Sequence, residues 1–491
     1  MSMINVSNLT FAYDGSYDNV FENVSFMIDS NWKLGFTGRN GRGKTTFLKL
    51  LTGEYEYSGS IQSSLDFEYF PYEADIHANT IDIIRAKAPD ALEWEIKREL
   101  SDLKVCDDVL LRPFHSLSNG ERTKILLAAL FLKPNSFLLI DEPTNHLDTQ
   151  GREVLSRYLA QRKGYIIVSH DRIFLDGCID HILAINKKSI DILKGNFSTW
   201  FAEKENRDNF EIAENEKHQR EISRLKIASA NASLWSDKVE KTKNLPNASG
   251  LKADKGYIGH KAAKMMKRSK SIERRMQEHI EERSSLLKNI ETAEDLKISP
   301  LPFFTDKLVE LSGLSASYGG KDVCKDISFS VFEGDRVAIT GPNGSGKSTL
   351  LKIICGIKND YNGNLLKSSQ LIVSYVPQSA EGLSGNLKDY AALRGIDESL
   401  FKAILRKLDF SREQFEKDIS AFSEGQKKKV LLSASLCDRA NLYVWDEPLN
   451  YIDVISRMQI ERMILDHRPT IIFVEHDIAF CENVATKFVK L

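Results

Sequence analysis

The sequence predicts an α/β protein in which two tandem P-loop nucleotide-binding domains are joined by a long antiparallel α-helical hairpin. Three observations predict it. Two G-x-x-x-x-G-K-[ST] loops occur, "GRNGRGKT" at 38–45 and "GPNGSGKS" at 341–348. Further short motifs recur around them in the same order at a period of about 305 residues. Between the halves lies a basic stretch with helical apolar spacing. The expected domains are residues 1–199, a helical linker at 200–298, and residues 299–491.

A chain of 491 residues is long enough for several domains, each with its own core. Its 42% hydrophobic and 28% charged residues describe a globular protein, neither disordered nor membrane-embedded. The apolar run "ILLAALFL" from Ile125 to Leu132 is far shorter than the ~20 residues of a bilayer span and reads as a buried helix. The start "MSMINVSNLT" shows no secretory signal, so a cytoplasmic location is expected. Six cysteines occur without a C-x-x-C pair, which argues against zinc, iron-sulfur or disulfide frameworks and leaves reduced packing residues.

Each phosphate loop follows a strand-like run ("WKLGFT", "DRVAIT") and opens a helical one ("TFLKLL", "TLLKII"). Gly38, Asn40, Gly41 and Gly43, with Gly341, Asn343, Gly344 and Gly346, let backbone N–H groups close around phosphate oxygens at a helix N-terminus, where Thr46 and Thr349 also sit. Lys44 and Lys347 are placed to reach the β and γ phosphates, and Thr45 and Ser348 to ligate magnesium. The expected ligand is therefore ATP with Mg2+. "FLLID" and "LYVWD" read as buried parallel strands ending in Asp141 and Asp446, which are expected to hold the magnesium through water. The next residues, Glu142 and Glu447, are placed to take a proton from the attacking water or to orient it. His170 and His476 follow the strand-like runs "YIIVS" and "TIIFVE" at the same sheet edge and are expected near the γ phosphate.

The linker reads as two helices. Ile222, Leu225, Ala228, Ala232 and Trp235 form the stripe of the first; Ile272, Met276, Ile280, Leu287 and Ile290 form that of the second. Gly and Asn between Asn244 and Gly259 place the turn. A formal net charge of -2 conceals a concentrated patch: from Ser236 to Lys270 there are ten Lys and Arg against three Asp and Glu. A solvated helix face is one reading of such a run. The other is an RNA-binding element, because Trp235, Tyr257, Met265 and Met266 stand among the charges and no wide apolar face suits a membrane. On the second reading the binding residues are Lys243, Lys252, Lys255, Tyr257, Lys261, Lys264, Lys267, Arg268 and Lys270.

Phosphate loop, "LSNGE" and "FSEGQ" signatures, strand-end Asp-Glu and histidine, all present twice, resemble the ATP-binding cassette superfamily over nearly the whole chain. The resemblance implies an ATPase whose cassettes pair head to tail within one chain, as a monomer. One site would join Lys44, Asp141, Glu142 and His170 to Ser423 and Gly425; the other would join Lys347, Asp446, Glu447 and His476 to Ser118 and Gly120. Tyr13 and Tyr318 match the adenine-stacking position. Gln378 in "VPQ" would offer its amide to magnesium and water, whereas the first half has Tyr72 in "FPY", so two unequal ATP sites are expected.

Two cassettes joined by a basic hairpin resemble the ABC-F proteins. Within them "NWKLGFTGRNGRGKTTFLKLL", "RPFHSLSNGE", "ENEK", "GHKAAKMMKRSK" and "WDEPLNYIDV" are similar to the Lsa-type ribosome-protection proteins. The resemblance implies a bacterial ribosome as partner, contacted at rRNA and P-site tRNA from the tRNA exit site, with neither permease nor membrane. It also implies protection against lincosamides, pleuromutilins and streptogramin A, with release driven by hydrolysis. The protruding arm of several housekeeping ABC-F factors is expected to be absent or short between Tyr72 and the first signature, with no extension after Leu491. Two alternatives stay open: the ATPase subunit of a membrane importer, and a housekeeping ABC-F translation factor.

Overall fold

A computed structural model describes residues 2–13, 19–145, 147–185, 190–242, 264, 267, 270–271, 274–275, 295–318 and 321–491; the side chains of 225, 228–242, 318, 321 and 322 lie outside that description. Residues 1–200 with 293–491 form one compact unit and residues 201–292 another.

The first half is built on β1 (Met3–Phe11), β2 (Phe21–Asp29), β3 (Lys33–Thr37), α1 (Lys44–Leu51), β4 (Ser58–Gln62) and β5 (Asp66–Phe70). Helices α2 (Thr80–Lys87), α3 (Glu93–Asp102) and α4 (Asn119–Phe131) follow. Next come β6 (Ser136–Asp141), α5 (Thr149–Ala160), β7 (Tyr165–Val168), α6 (Arg172–Cys178), β8 (His181–Ile185) and β9 (Ile190–Lys194). The main sheet has the order β5-β6-β7-β3-β8-β9, parallel except for the β8–β9 pair. An antiparallel sheet β2-β1-β4 lies beside it. Phe137 to Ile140 and Tyr165 to Val168 are buried without the alternation of a one-sided sheet, as expected of parallel strands covered on both faces. The core runs from Ile4 and Val6 through Phe36, Phe47 and Leu48 to Leu139 and Ile166.

The long helix α7 spans Phe197–Thr242, 46 residues. The second half repeats the first: β10 (Lys307–Tyr318), β11 (Lys321–Phe332), β12 (Arg336–Thr340), α8 (Lys347–Ile354), β13 (Asn362–Lys367), β14 (Val373–Val376), α9 (Leu387–Arg394) and α10 (Glu398–Lys407). It continues with α11 (Glu424–Cys437), β15 (Leu442–Asp446), α12 (Val454–His467), β16 (Ile471–Val474), α13 (Ile478–Val484) and β17 (Lys487–Lys490). Its main sheet, β14-β15-β16-β12-β17, is wholly parallel, and β11-β10-β13 is its antiparallel companion.

Residue Ile222 of the outgoing linker stripe is buried, and the remaining stripe residues Leu225, Ala228, Ala232 and Trp235 have side chains outside the described set. The turn and most of the returning arm also lie outside the described residues, among them Lys243, Lys252, Lys255, Tyr257, Lys261, Arg268, Ile272, Met276, Ile280, Leu287 and Ile290. Lys264, Lys267, Lys270, Ser271, Arg274 and Arg275 are described, helical and exposed. Their spacing of three and four puts four lysines and arginines of one exposed stripe on the same helix face. No helix among the described residues is long and apolar enough to cross a membrane, and the six cysteines are free.

Candidate active sites

Both phosphate loops leave a central strand of the main sheet and turn into a helix through a left-handed glycine: Gly43 has φ +89° and Gly346 φ +90°. A Cβ on Gly43 would stand 2.5 Å from Val20 Cγ1, so only glycine suits both the dihedral and the contact. Lys44 Nζ donates to the carbonyls of Gly38 (2.7 Å) and Arg39 (3.2 Å), and Lys347 Nζ to those of Gly341 (2.8 Å) and Pro342 (2.9 Å). Burial lowers the pKa of both lysines; neighbouring carboxylates work against that shift.

Two cavities contain the expected residues in head-to-tail combination. The first, about 490 Å3, brings Tyr13, Asn40, Gly41, Gly43, Lys44, Thr45, Thr46, Asp141, Glu142 and His170 of the first half against Ser423 and Gly425 of the second. The second, about 770 Å3, brings Asn343, Gly344, Gly346, Lys347, Ser348, Thr349, Gln378, Glu447 and His476 against Ser118 and Gly120. Gly38 and Gly341 sit behind the loops as acceptors for the two lysines. Asp446 is fully buried beneath Ser348. Tyr13 is half exposed, its hydroxyl 2.6 Å from Thr46 Oγ1 and its ring edge-on to Phe11 and Tyr55. The Tyr318 side chain lies outside the described residues.

The signature motifs owe their form to helix capping. Ser118 Oγ accepts from Glu121 N (3.2 Å) while Glu121 Oε2 accepts from Ser118 N (2.8 Å); Ser423 and Gln426 repeat the exchange at 3.3 and 3.0 Å. Serine followed three residues later by Glu or Gln is a capping box, so "LSNGE" and "FSEGQ" satisfy one local rule. Gly425 is fixed by close approach, since a Cβ there would meet the Tyr451 carbonyl oxygen at 2.5 Å. The resulting helix N-termini, α4 and α11, each face the opposite phosphate loop.

At the strand ends, Thr45 Oγ1 donates to Asp141 Oδ2 (2.8 Å) and Ser348 Oγ to Asp446 Oδ1 (3.1 Å). A hydroxyl and a carboxylate in contact beside a phosphate loop are hard oxygen donors of the kind magnesium takes. Asp446 Oδ2 is buried with no hydrogen-bond partner, and a cation there would satisfy it. The residues present therefore fit ATP with Mg2+. Burial raises the pKa of Asp141, and pushes that of Asp446 up to about 6.

Glu142 and Glu447 adopt left-handed backbones, φ +50° and +47°. Non-glycine residues reach this region at a cost of order 1–3 kcal/mol, and it recurs at functional positions. Each conformation is held by a hydrogen bond to the neighbouring strand, Glu142 N to Val168 O (2.9 Å) and Glu447 N to Val474 O (3.0 Å). His170 Nε2 stands 3.2 Å from Glu142 Oε1, and His476 Nε2 3.5 Å from Glu447 Oε1. The two carboxyls differ in environment. Burial and the charge of Asp141 push Glu142 up to about 8. Burial also opposes the charge of Glu447, but His476, Gln378 and Lys428 outweigh it and hold the group at about 2. Asn450 Nδ2 also donates to Glu447 Oε2 at 2.6 Å. Burial and the charges of Lys44 and Arg457 hold His170 well below its ordinary range, so its imidazole is neutral.

Sequence reasoning missed several site residues. Tyr72 is not among the residues lining the first cavity; its ring lies under Lys87 Nζ at 4.6 Å and its hydroxyl is buried without a partner. Tyr69 reaches the site instead, donating from its hydroxyl to Asp141 Oδ2 at 3.0 Å. Its counterpart Tyr375 has a buried, unpartnered hydroxyl. Aligning "FEYFPY" with "VSYVPQ" would have exposed this pair. Lys429 was also missed; it lines the first cavity and is ion-paired to Asp453 at 2.9 Å, with Lys124 at the matching place in the second cavity. Tyr69→Phe should raise the magnesium concentration needed for half-maximal ATPase in a Glu447→Gln chain by roughly tenfold, the worth of a hydrogen bond to a charged group. Tyr375→Phe should leave the Glu142→Gln chain unchanged; a titration showing equal effects of both substitutions would remove Tyr69 from the site.

Paired phosphate loops, each closed by the other half's signature helix, define a twin-cassette ATP-hydrolysing enzyme. The ABC transporter family model matches residues 21–145 and 324–450. The two matches together cover just over half of the chain, which belongs to the ABC transporter family, as one of its ABC-F ATPases. Relatives include the ribosome protection protein VmlR of Bacillus subtilis, 27% identical over 483 residues, covering 96% of this chain and 84% of that protein. The energy-dependent translational throttle protein EttA of Haemophilus influenzae is 26% identical over 526 residues, covering 95% and 88%. Among solved structures, a chain in the crystal structure of archaeal ribosomal stalk protein aP1 with archaeal ribosome recycling factor aABCE1 superposes with a TM-score of 0.65 at 17% identity. That match covers 98% of this chain and 87% of that one, and establishes likeness of fold.

Proposed function

We propose that this ATPase binds the bacterial ribosome at the tRNA exit site and protects it from lincosamide, pleuromutilin and streptogramin A antibiotics through its interdomain linker. Closure of the two composite sites on ATP sets the bound state, and hydrolysis by Glu142 and Glu447, with His170 and His476 beside them, releases it. The carrying observation is that both composite sites are formed within one chain that also inserts a basic 201–292 unit between its cassettes. A clamp that closes on ATP needs the first feature, and contact with a polyanion needs the second. Relatives named for ribosome protection and for translational throttling match nearly the whole chain, linker included. The exposed lysines Lys264, Lys267 and Lys270, with Lys243, Lys252, Lys255, Lys261, Arg268 and Tyr257, supply the RNA-facing surface in this reading.

Cosedimentation of the Glu142→Gln, Glu447→Gln chain with purified bacterial ribosomes tests the proposal. Binding in ATP and none without it is the expected result; translation assays with a lincosamide or a pleuromutilin then read out protection. Absence of binding with ATP affinity intact would turn the assignment toward the ATPase subunit of an importer. Neutralising Lys261, Lys264, Lys267 and Lys270 should weaken ribosome binding and flatten its logarithmic salt dependence by about 3, since each phosphate contact contributes roughly 0.7–0.9. An unchanged slope would assign these lysines to a solvated face.

A further inference from the structure

The two phosphate loops differ where they meet the opposite cassette. The first carries Arg39 and Arg42; the second has Pro342 and Ser345 at the same places. Arg39 Nη1 lies 3.4 Å from Asp409 Oδ1, and Arg42 Nη2 lies 3.9 Å from the same oxygen. Arg39 is only 8% exposed, so its guanidinium is desolvated at the cassette boundary. Asp409 stands just past α10 in a left-handed backbone, φ +67°. Its counterpart in the first half, also left-handed at φ +52°, is Lys104, a residue of opposite charge.

Other polar contacts reinforce the same boundary. Asn40 Nδ2 donates to the Tyr451 carbonyl at 3.0 Å, and Arg172 Nη2 to Glu461 Oε2 at 2.6 Å. The Asn40 contact, like that of Arg39 and Arg42, lies at the first cavity, whereas Arg172 and Glu461 line neither cavity. Among the described residues, no hydrogen bond or ion pair joins the second phosphate loop to the first cassette, and Ser345 Oγ is buried without a partner. The second cavity is also the larger, about 770 against about 490 Å3.

We infer that Asp409, gripped by Arg39 and Arg42, is a positioning residue that keeps the first ATP site assembled before nucleotide arrives, leaving the second site as the one that opens and closes. A partly buried ion pair across a protein boundary holds it against separation, and removing one member leaves the other charge buried and unpaired. At the second site a proline ring, a hydroxyl and a lysine offer no such attraction. There the ATP phosphates themselves supply the charge that draws the signature helix in. The inference concerns the order of closure in the ATPase and stands apart from the ribosomal assignment.

Distances between spin labels carried on unnatural residues, which leave the native cysteines in place, test it. Labels at Glu22 and Glu413 flank the first site, and labels at the matching Lys325 and Asp108 flank the second. Without nucleotide, a short, narrow distance is expected across the first site and a longer or broader one across the second; ATP with magnesium should shorten the second alone. Asp409→Lys, which installs the residue of the other half, should lengthen the nucleotide-free distance at the first site. It should also raise the ATP concentration for half-maximal turnover there by about tenfold, read in the Glu447→Gln chain. The isosteric Asp409→Asn, safe for folding, should move both readouts in the same direction by less. Equal distances at the two sites of the nucleotide-free natural chain, or a first-site distance indifferent to both substitutions, would overturn the inference.

Discussion

Replacing Glu142 and Glu447 together by glutamine should cut ATP turnover severely and leave ATP binding intact. The expected loss in kcat is about 10²–10⁴-fold, the usual worth of a positioned general base. Glutamine keeps the shape of glutamate and the left-handed backbone tied to Val168 and Val474. It removes only the carboxylate proposed to orient water and accept its proton. Nucleotide affinity depends on the phosphate loops and signature helices, which the substitution does not touch. The single substitutions should be unequal. Glu447 is held ionised at about 2 and is bonded by Asn450, with Gln378 beside it. Glu142 has no counterpart of Gln378 among the residues lining its cavity, where Tyr72 stands aside, and is pushed up to about 8 by burial and Asp141. Glu447→Gln should therefore remove the larger share of steady-state hydrolysis. Hydrolysis undiminished in the double variant would take both carboxylates out of the catalytic role.

Substituting Lys429 by methionine should destabilise the second cassette by about 3–5 kcal/mol, the range for breaking a buried ion pair from one side. Lys429 and Asp453 are 4% and 1% exposed at their side chains and 2.9 Å apart. Lys429 also donates to the Leu408 carbonyl at 2.8 Å, and Asp453 accepts from Ser456 N and Oγ, both at 2.9 Å. Methionine fills the space of the lysine stem but strands the carboxylate in the interior. Lys124→Met is the internal control: Lys124 is partly exposed and makes no ion pair among the described residues, so its loss should fall within about 1 kcal/mol. Burial raises the Asp453 pKa, but the charge of Lys429 and the bonds from Ser456 and Lys429 prevail and hold it far below the ordinary range. A depressed carboxyl contributes its stability above the unfolded value, near 4, and loses it as pH falls further. The difference between natural and Lys429→Met chains in denaturant melts should thus be full at pH 7 and narrow below about pH 4. A Lys429→Met chain as stable as natural at pH 7 would show the pair to be incidental.

How far the sequence could be read depended on how local each feature is. The phosphate loops, the strand-end Asp141 and Asp446, and the histidines each occupy a few consecutive residues at the end of a strand, where backbone geometry dictates residue type. The repeat then supplied a second copy of each. Pairing across the cassettes was legible only through family resemblance, because nothing in periodicity relates Ser423 to Lys44. The contacts that make the two sites unequal were not legible at all. Asn40 and Tyr451 stand 411 positions apart in the chain, and Arg39, Arg42 and Asp409 look like ordinary surface charges until the fold brings them together. Tyr69 shows a different limit. The departure at Tyr72 was plain in "FPY", but the residue that answers it lies three positions earlier and acts through its hydroxyl. The linker marks the far boundary: its charge and spacing set an expectation, while most of the residues that would carry it lie outside those described.

Helix length carries a consequence of its own. Helix α7 has 46 residues and begins at Phe197, whose ring packs on Trp200 at 5.4 Å, both side chains buried. At 1.5 Å per residue such a rod is about 69 Å long. By geometry alone, a rod of that length tilted by about 5° carries its far end through about 6 Å, close to the rise of a full helical turn. If the helix acts as a lever, its gain is set by its length, so shortening it by whole turns should weaken any effect it carries in proportion while leaving the ATPase rate unchanged.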